Sequence, residues 1–340
     1  MKTIILILIC LNIWMGAALS QTLAKKTETK VNVDSIKRVY LDQAAIAYPI
    51  LRQGAISTEF IDGGNTTANL YGNPLYKGKL RLTREKANFN VPFSQWGHNS
   101  LVGSFSYVNQ HYQIDQVQDF NPQFPVKDMN FNRQTVGFAV TFSHNDSLFH
   151  SPVIYSSTLA GLTDQLSTVE KVSYLGSIVF PLKRTATHAF TIGVAVILDR
   201  SSVIPVLPVF SYWQKFGDGK TELFFDLPSR VSLRRQVTPN SWVSFGTELS
   251  SSYSFFSLNQ PPLPQDVSST QVELKTGPSY EYRVTKKLIL GVYGGLFSTI
   301  DSRLAKRTDS WNTYFVQNKN STTPFVNFTI SFLPFFRQGK

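Results

Sequence analysis

Two sets of side chains in this chain have types and spacings that could do chemistry. The first is the five histidines, His98, His111, His144, His150 and His188, together with a single cysteine, Cys10. Nucleophilic catalysis needs a hydroxyl or thiol within hydrogen-bond reach of an imidazole, and a third group to orient the ring. Ser143 and His144 are adjacent, so on a strand they point to opposite faces. Asn145 and Asp146 beside them mark a turn. Metal chemistry has less to work with, because the chain has no His-x-x-x-His pair, no His/Cys cluster and no carboxylates in calcium-loop spacing. No cofactor, no metal and no enzymatic activity is expected, with a lipid hydrolase built on a rim Ser and His kept only as a third reading.

The second set is charged and alternates with apolar residues. Across Thr221 to Gln236, Leu223, Phe225, Leu227, Val231 and Leu233 share one parity, while Glu222, Asp226, Arg230 and Arg234 share the other. The pattern recurs across Gln271 to Val284, where Val272, Leu274, Tyr280, Tyr282 and Val284 alternate with Glu273, Lys275, Glu281 and Arg283. Strand side chains alternate between two faces. One whole face apolar and the other charged is the arrangement of a strand between lipid and a lumen. On this reading Arg81, Glu85, Asp226, Arg230, Arg234, Glu248, Glu273, Lys275, Glu281 and Arg283 face the lumen. They would either line a water path and set ion preference, or interlock as buried ion pairs that fill the interior.

Those residues need strands to hold them, and turn signals divide most of the chain into such segments. Strands are expected near 53–61, 78–92, 100–112, 132–144, 151–160, 169–182, 187–198, 203–216, 221–237, 241–256, 271–284, 288–300 and 322–336. Bacterial single-chain barrels use even strand numbers, so the odd tally implies one miscounted segment, with 151–160 the weakest strand and 310–317 or the stretch near Val39 as an unassigned one. The expected fold is an all-β, transmembrane, antiparallel up-and-down β-barrel of about 12 strands, within a range of 10–14.

Hairpin geometry supports the strands independently. A tight turn at Thr238-Pro239-Asn240 sets Arg230 opposite Glu248, one at Thr285-Lys286-Lys287 sets Tyr282 against Leu290 and Tyr280 against Val292, and one at Lys183 to Ala186 sets Phe180 against Phe190. The longer connections 257–270 and 301–321 fall at the end opposite these turns, which assigns them to the cell surface. Aromatic residues make up 13% of the chain. Trp96, Tyr107, Tyr112, Tyr155, Tyr212, Trp213, Trp242, Tyr253, Tyr293 and Trp311 stand near strand ends, as interfacial girdles would place them.

The first residues explain how such a barrel reaches its membrane. Lys2, the apolar run Ile4 to Ile13 and the small-residue site Ala18-Leu19-Ser20 form a cleaved export signal over 1–20, too short to span a bilayer. The remaining organisation is a periplasmic N-terminal segment at 21–51, the barrel at 52–336 and a polar tail at 337–340. A small plug inside the lumen is the sharper reading of 21–51. The formal net charge of +11 is scattered over turns, loops and lumen positions without an Arg-rich helix or an aromatic nucleic-acid-binding strand, so nucleic acid is not an expected partner.

The run Leu227-Pro228-Ser229-Arg230-Val231-Ser232-Leu233-Arg234, the preceding Pro205-Val206-Leu207-Pro208-Val209-Phe210-Ser211-Tyr212 and the Asn240-Ser241-Trp242 turn resemble the uncharacterised outer-membrane β-barrel family of Bacteroidota. That resemblance implies a location and a fold, and no catalytic residues. The aromatic strand Pro324 to Phe336 looks like the closing strand that barrel-assembly machinery recognises. The expected partners are therefore outer-membrane lipid and lipopolysaccharide, the assembly machinery during biogenesis and a small polar solute. A passive porin-like channel is the first functional expectation, and a closed structural or surface-interaction barrel the alternative.

Overall fold

A strand that meets lipid on one side must satisfy every backbone group in its ladder, so a membrane barrel has to close on itself. A computed structural model of the chain describes residues 33–165, 167–199, 201–202, 205–310 and 312–335. The export signal, the start of the 21–51 segment, Trp311, Phe336 and the 337–340 tail lie outside the described residues.

Among the described residues, one helix, α1 (Val33–Ala47), and a 3-10 turn (Pro49–Leu51) precede the strands. These are β1 (Gly54–Leu70), β2 (Asn73–Trp96), β3 (Asn99–Asp119), β4 (Met129–Leu148), β5 (Ser151–Thr163), β6 (Lys171–Arg184), β7 (His188–Leu198), β8 (Val206–Lys215), β9 (Thr221–Leu227), β10 (Arg230–Thr238), β11 (Ser241–Ser257), β12 (Asp266–Arg283), β13 (Leu288–Lys306), β14 (Tyr314–Asn320) and β15 (Thr323–Phe332). Each pairs antiparallel with its chain neighbour from β1 to β13. Both β14 and β15 lie between β13 and β1, which closes the ring.

The last two strands fill one position. Leu70 faces Val316 and Thr66 faces Asn320 on β14, and the same register continues with Ile61 opposite Phe325 and Gly54 opposite Phe332 on β15. Among the described residues, 15 strand segments thus make a ring of fourteen positions, an even number as such barrels require. The expected count of 12, within 10–14, becomes 14. Splitting 221–237 into two strands takes the thirteen expected segments to fourteen, and the segment near 310–317 is a real strand that shares its position with β15. Asp226 pairs with Arg230 and Phe225 with Val231, so the chain doubles back at Pro228-Ser229. Folding there puts even residues opposite even and odd opposite odd, so the alternation that marked one long strand is equally that of a hairpin.

Strand length divides the wall in two. Strands β1–β4 and β11–β13 have 17 to 24 residues, whereas β5–β10 have 7 to 14. Seven residues reach only about 23 Å, close to the height of an apolar membrane band. The long strands must extend past it. Beyond the ends of β5 and β10, the edges of β4 and β11 meet instead across the interior, where Thr135 Oγ1 donates to the Tyr253 carbonyl at 3.0 Å.

Around the ring, one parity of each strand is apolar and exposed, including Ile56, Phe60, Phe138, Val140, Leu159, Ile178, Ile192, Val194, Phe245, Tyr280, Leu290, Val292, Phe328 and Ile330. In water that surface would cost on the order of 25 cal/mol per Å². In lipid it is matched. Farther along the long strands the faces exchange character. The outward positions of β2 become Lys77, Lys79, Arg81 and Glu85, while the inward Leu82 joins Ile61, Tyr112, Phe297 and Phe325 in an interior apolar cluster. A second cluster, with Ala68, Leu70, Val267, Phe315 and Val316, lies nearer the strand ends.

The hairpins follow their turn chemistry. Tyr71-Gly72 closes β1–β2 with φ of 49° and 86°, the mirror-image turn that suits strand twist. Tyr282 faces Leu290 and Tyr280 faces Val292 as expected. The β6–β7 register departs from expectation, because an irregularity between Pro181 and Lys183 sets Phe180 opposite Ile192 and Lys183 opposite Phe190. Loops 258–265 and 307–313 share one end of the barrel, opposite the tight turns at 239–240 and 284–287.

Candidate functional site: a charged and partly wet barrel interior

At the interior of the long-strand half, a cluster of ionised side chains joins strands that are not neighbours. Arg84 on β2 is fully buried and its guanidinium reaches Glu59 on β1 at 3.0 Å and Glu273 on β12 at 2.6 and 2.8 Å. Its Nε donates to Gln110 Oε1 at 3.1 Å, which also accepts from the Tyr112 hydroxyl at 3.0 Å. Gln110 in turn donates to Ser254 Oγ at 2.6 Å, and the Ser252 hydroxyl to Glu273 at 2.7 Å. Lys275 pairs with Glu59, and the Tyr293 hydroxyl holds the Lys275 carbonyl at 3.0 Å. Bidentate geometry and satisfied side donors are what allow buried charges to persist in a low-dielectric interior.

The second layer lies at the tight-turn end, where the N-terminal segment enters the mouth. Ala45, Ile46 and Leu51 pack on Trp242, Ile289 and Leu333, and the Tyr48 ring meets Phe224 edge-on at 5.4 Å. Arg52 reaches Glu281 at 2.7 Å and Ser331 at 3.2 Å. Arg234 binds Glu222 at 2.5 Å and donates to the Ile46 carbonyl at 2.6 Å. Arg230 binds Asp226 at 2.6 Å and stacks over Phe224 at 4.5 Å. Lys287 anchors the helix through Asp42 at 2.7 Å. Burial pushes the Tyr48 hydroxyl pKa up from its ordinary value, with the Asp226 carboxylate adding to the shift.

The residues expected at the lumen divide accordingly. Asp226, Arg230, Arg234, Glu273, Lys275 and Glu281 take part in these two layers. Glu248 stands opposite Arg230 in the ladder, as expected, but Arg230 turns to Asp226 and the foreseen ion pair is not made. Arg283 lies at the rim, where its guanidinium donates to Asn240 at 2.7 Å. Arg81 and Glu85 are corrected. They face outward, Arg81 being 61% exposed and 3.8 Å from Asp115, because that stretch of β2 lies where the outward face has become polar and Leu80 and Leu82 have turned inward. Three aromatics assigned to girdles lie in the interior instead, Tyr112 and Trp242 buried and Tyr293 packed in the Phe297–Phe325 cluster.

Parity placed Arg84 on the wrong face, and so hid the centre of the site. Glu59, Gln110, Ser252, Ser254 and Arg52 were also not singled out, and Tyr112 was assigned to a girdle instead. A pairing signal for them existed, since Glu59 stands opposite Arg84 across β1–β2. The histidines make local contacts, His144 Nδ1 with Asn99 Oδ1 at 2.8 Å and His188 Nδ1 with Thr185 Oγ1 at 2.9 Å. Ser143 lies on the other face against Ser156 at 3.3 Å.

Against the charged half, the wall of β3–β8 presents few charges inward, and on β6–β8 Leu175, Ala195, Ile197, Leu207 and Val209 form an apolar cluster. Inward positions of β3–β8 include Ser106, Thr141, Ser156, Thr158 and Ser177, with Thr141 and Thr158 bonded at 2.9 Å across β4–β5. Lys86 and Asn88 border this wall from β2, half-buried and exposed respectively.

A closed antiparallel ring with an apolar belt outside and ionised groups inside defines a transmembrane β-barrel. Residues 73–333 match the family described as a domain of unknown function, DUF6268, and the chain belongs to that family. No curated protein matches it. Among solved structures, an outer membrane channel from Pseudomonas putida F1 is similar at 7% identity over 83% of this chain and 96% of that one, with a TM-score of 0.35. Omp33 of Acinetobacter baumannii is similar at 9% identity over 83% and 98%, with a TM-score of 0.28. The Pseudomonas putida toluene transporter TodX is similar at 9% identity over 85% and 92%, with a TM-score of 0.26. Likeness this distant carries no argument about function.

Proposed function

We propose that this protein is an outer-membrane channel for small polar solutes, with its passage confined to the sparsely charged wall of β3–β8. The observation that carries the reading is the asymmetry of the interior. One half is filled by the Arg84 cluster, and the other presents hydroxyls beside an exposed inward Asn88. The first half is fully buried, whereas in the second Ser106, Ser156 and Ser177 are half-buried, Thr141 and Thr158 are buried, and Asn88 is exposed. A wide porin does not fit such a filled interior, so the conducting path is narrow. Export through a cleaved signal, assembly through the closing strand and contact of the 257–270 and 301–321 loops with lipopolysaccharide belong to the same reading.

A second reading is favoured by one specific fact. Every inward carboxylate of the two layers except Glu248 has a cation partner, as in a barrel whose interior is purely structural. Planar-bilayer recording of the refolded chain from Gln21, after heat-modifiable migration has verified folding, separates the two. Small ohmic steps are expected. A folded barrel that stays silent would replace the channel by the closed, structural reading.

A further inference from the structure

We infer that Lys86 is a lumen binding site for small anions, inorganic or carboxylate-bearing. The inference deepens the channel reading and rests on it for transport, although the site itself does not require conduction. Three cations and two carboxylates meet in the interior cluster: Arg84, Lys86 and Lys275 against Glu59 and Glu273. Arg84 takes both carboxylates and Lys275 takes Glu59. That leaves one ammonium. Among the described residues, Lys86 has no hydrogen-bond or ion-pair partner, whereas the other two cations have theirs.

Its surroundings determine what could fill that role. Lys86 is half-buried, and Asn88, two residues along on the same inward face, is exposed, so the inward face of β2 opens immediately beside it. Among the described residues, the inward positions of β3–β8 carry one acid, Asp119, at the far end of β3 opposite Tyr76 and away from Lys86. Of the cations on that wall, Lys171 is held by Asp199 at 2.9 Å and Arg133 is stacked between Phe131 and Phe256 at 5.0 and 4.7 Å. Lys215 lies at the tight-turn end, opposite Glu222 in the ladder. The unpartnered carboxylate of the interior, Glu248, is the ladder neighbour of Lys275 on β11–β12, on the far side of the cluster. A solute moving along this wall therefore meets at Lys86 a positive charge that no carboxylate pairs, and such a potential concentrates anions. Hydroxyls along the wall can donate to the same ligand.

Two measurements on the full chain from Gln21 test the site, with Lys86→Met as the variant that preserves volume and removes charge. Crystals soaked in bromide should show an anomalous peak within hydrogen-bond distance of Lys86 Nζ, absent in Lys86→Met. In bilayers under a KCl gradient, the reversal potential should report chloride preference, weakened in Lys86→Met and inverted in Lys86→Glu. A folded protein with no bromide at Lys86, or a reversal potential unmoved by either substitution, overturns the inference. Bromide at Lys86 in a barrel that never conducts would uphold the site while removing the channel reading.

Discussion

Replacing Arg84 with methionine should be among the most destabilising single changes in the barrel wall. The guanidinium is 0% exposed and holds Glu59 on one strand and Glu273 on another. Deleting it leaves Glu273 with the Ser252 hydroxyl and Glu59 with Lys275, two carboxylates whose desolvation was balanced by the lost charge. Removing one partner of a buried pair costs about 3–5 kcal/mol. At a urea slope near ~3 kcal/mol per M, the unfolding midpoint in detergent micelles falls by about 1–1.7 M. The double variant Arg84→Met, Glu273→Met removes the orphaned charge as well, so its loss should be smaller than that of Arg84→Met alone. A single-variant loss below about 1 kcal/mol, the value of a hydrated surface pair, would refute the reasoning. It would mean that water reaches the cluster and that the long-strand half is open.

Three further outcomes probe other parts of the barrel. Val140→Arg, on the outward face of β4, should cost about 2–4 kcal/mol at mid-bilayer, read by the same micelle unfolding, and a neutral result would place β4 outside the membrane. Gly277→Ala should fold poorly on a heat-modifiability gel, because a Cβ there would lie 2.1 Å from the Gly294 carbonyl oxygen on the facing strand. Wild-type mobility would show that β12 and β13 can separate. In the β8–β9 turn, Asp218 accepts from the Thr221 hydroxyl at 2.6 Å and from two backbone N–H groups at 2.9 Å, which lowers its pKa from 3.8 to about 2. A carboxyl depressed on folding stabilises above its unfolded pKa and loses that contribution as pH falls through the folded one. Amide-exchange protection at Lys220 and Thr221 should therefore fade between about pH 4 and 2 in the wild type and stay flat in Asp218→Asn.

The ladder was largely legible because membrane strands obey a simple rule, apolar and polar by turns. Tyr280–Val292 and Arg230 opposite Glu248 came directly from turn position and parity. What parity cannot register is a fold that preserves it. The β9–β10 hairpin keeps even residues on one face through Pro228-Ser229, and only the Pro-Ser pair hinted at the turn. An extra residue is equally silent, as the irregularity at Leu182 shows by shifting the Phe180 pairing. The break between β14 and β15 is the reverse case, a single position in the ring written as two segments.

The site was less legible than the fold for a physical reason that lies in β2. Parity assigns faces correctly only while the environment on each side stays constant, and a 24-residue strand outlasts the bilayer. Near Phe93 the outward face meets lipid, and by Arg81 it meets water. The interior changes in the opposite sense, from Asn88 and Lys86 through Arg84 to Leu82. Thr83-Arg84-Glu85-Lys86 spans that exchange, so its charges are divided between both faces and no alternation identifies which are inside. The same exchange gives the interior a buried ion cluster with an apolar core on one side and the unpaired, half-buried Lys86 on the other. On the channel reading proposed above, a solute entering beside Asn88 would reach Lys86 but find Arg84 already occupied, which confines passage to the short-strand wall.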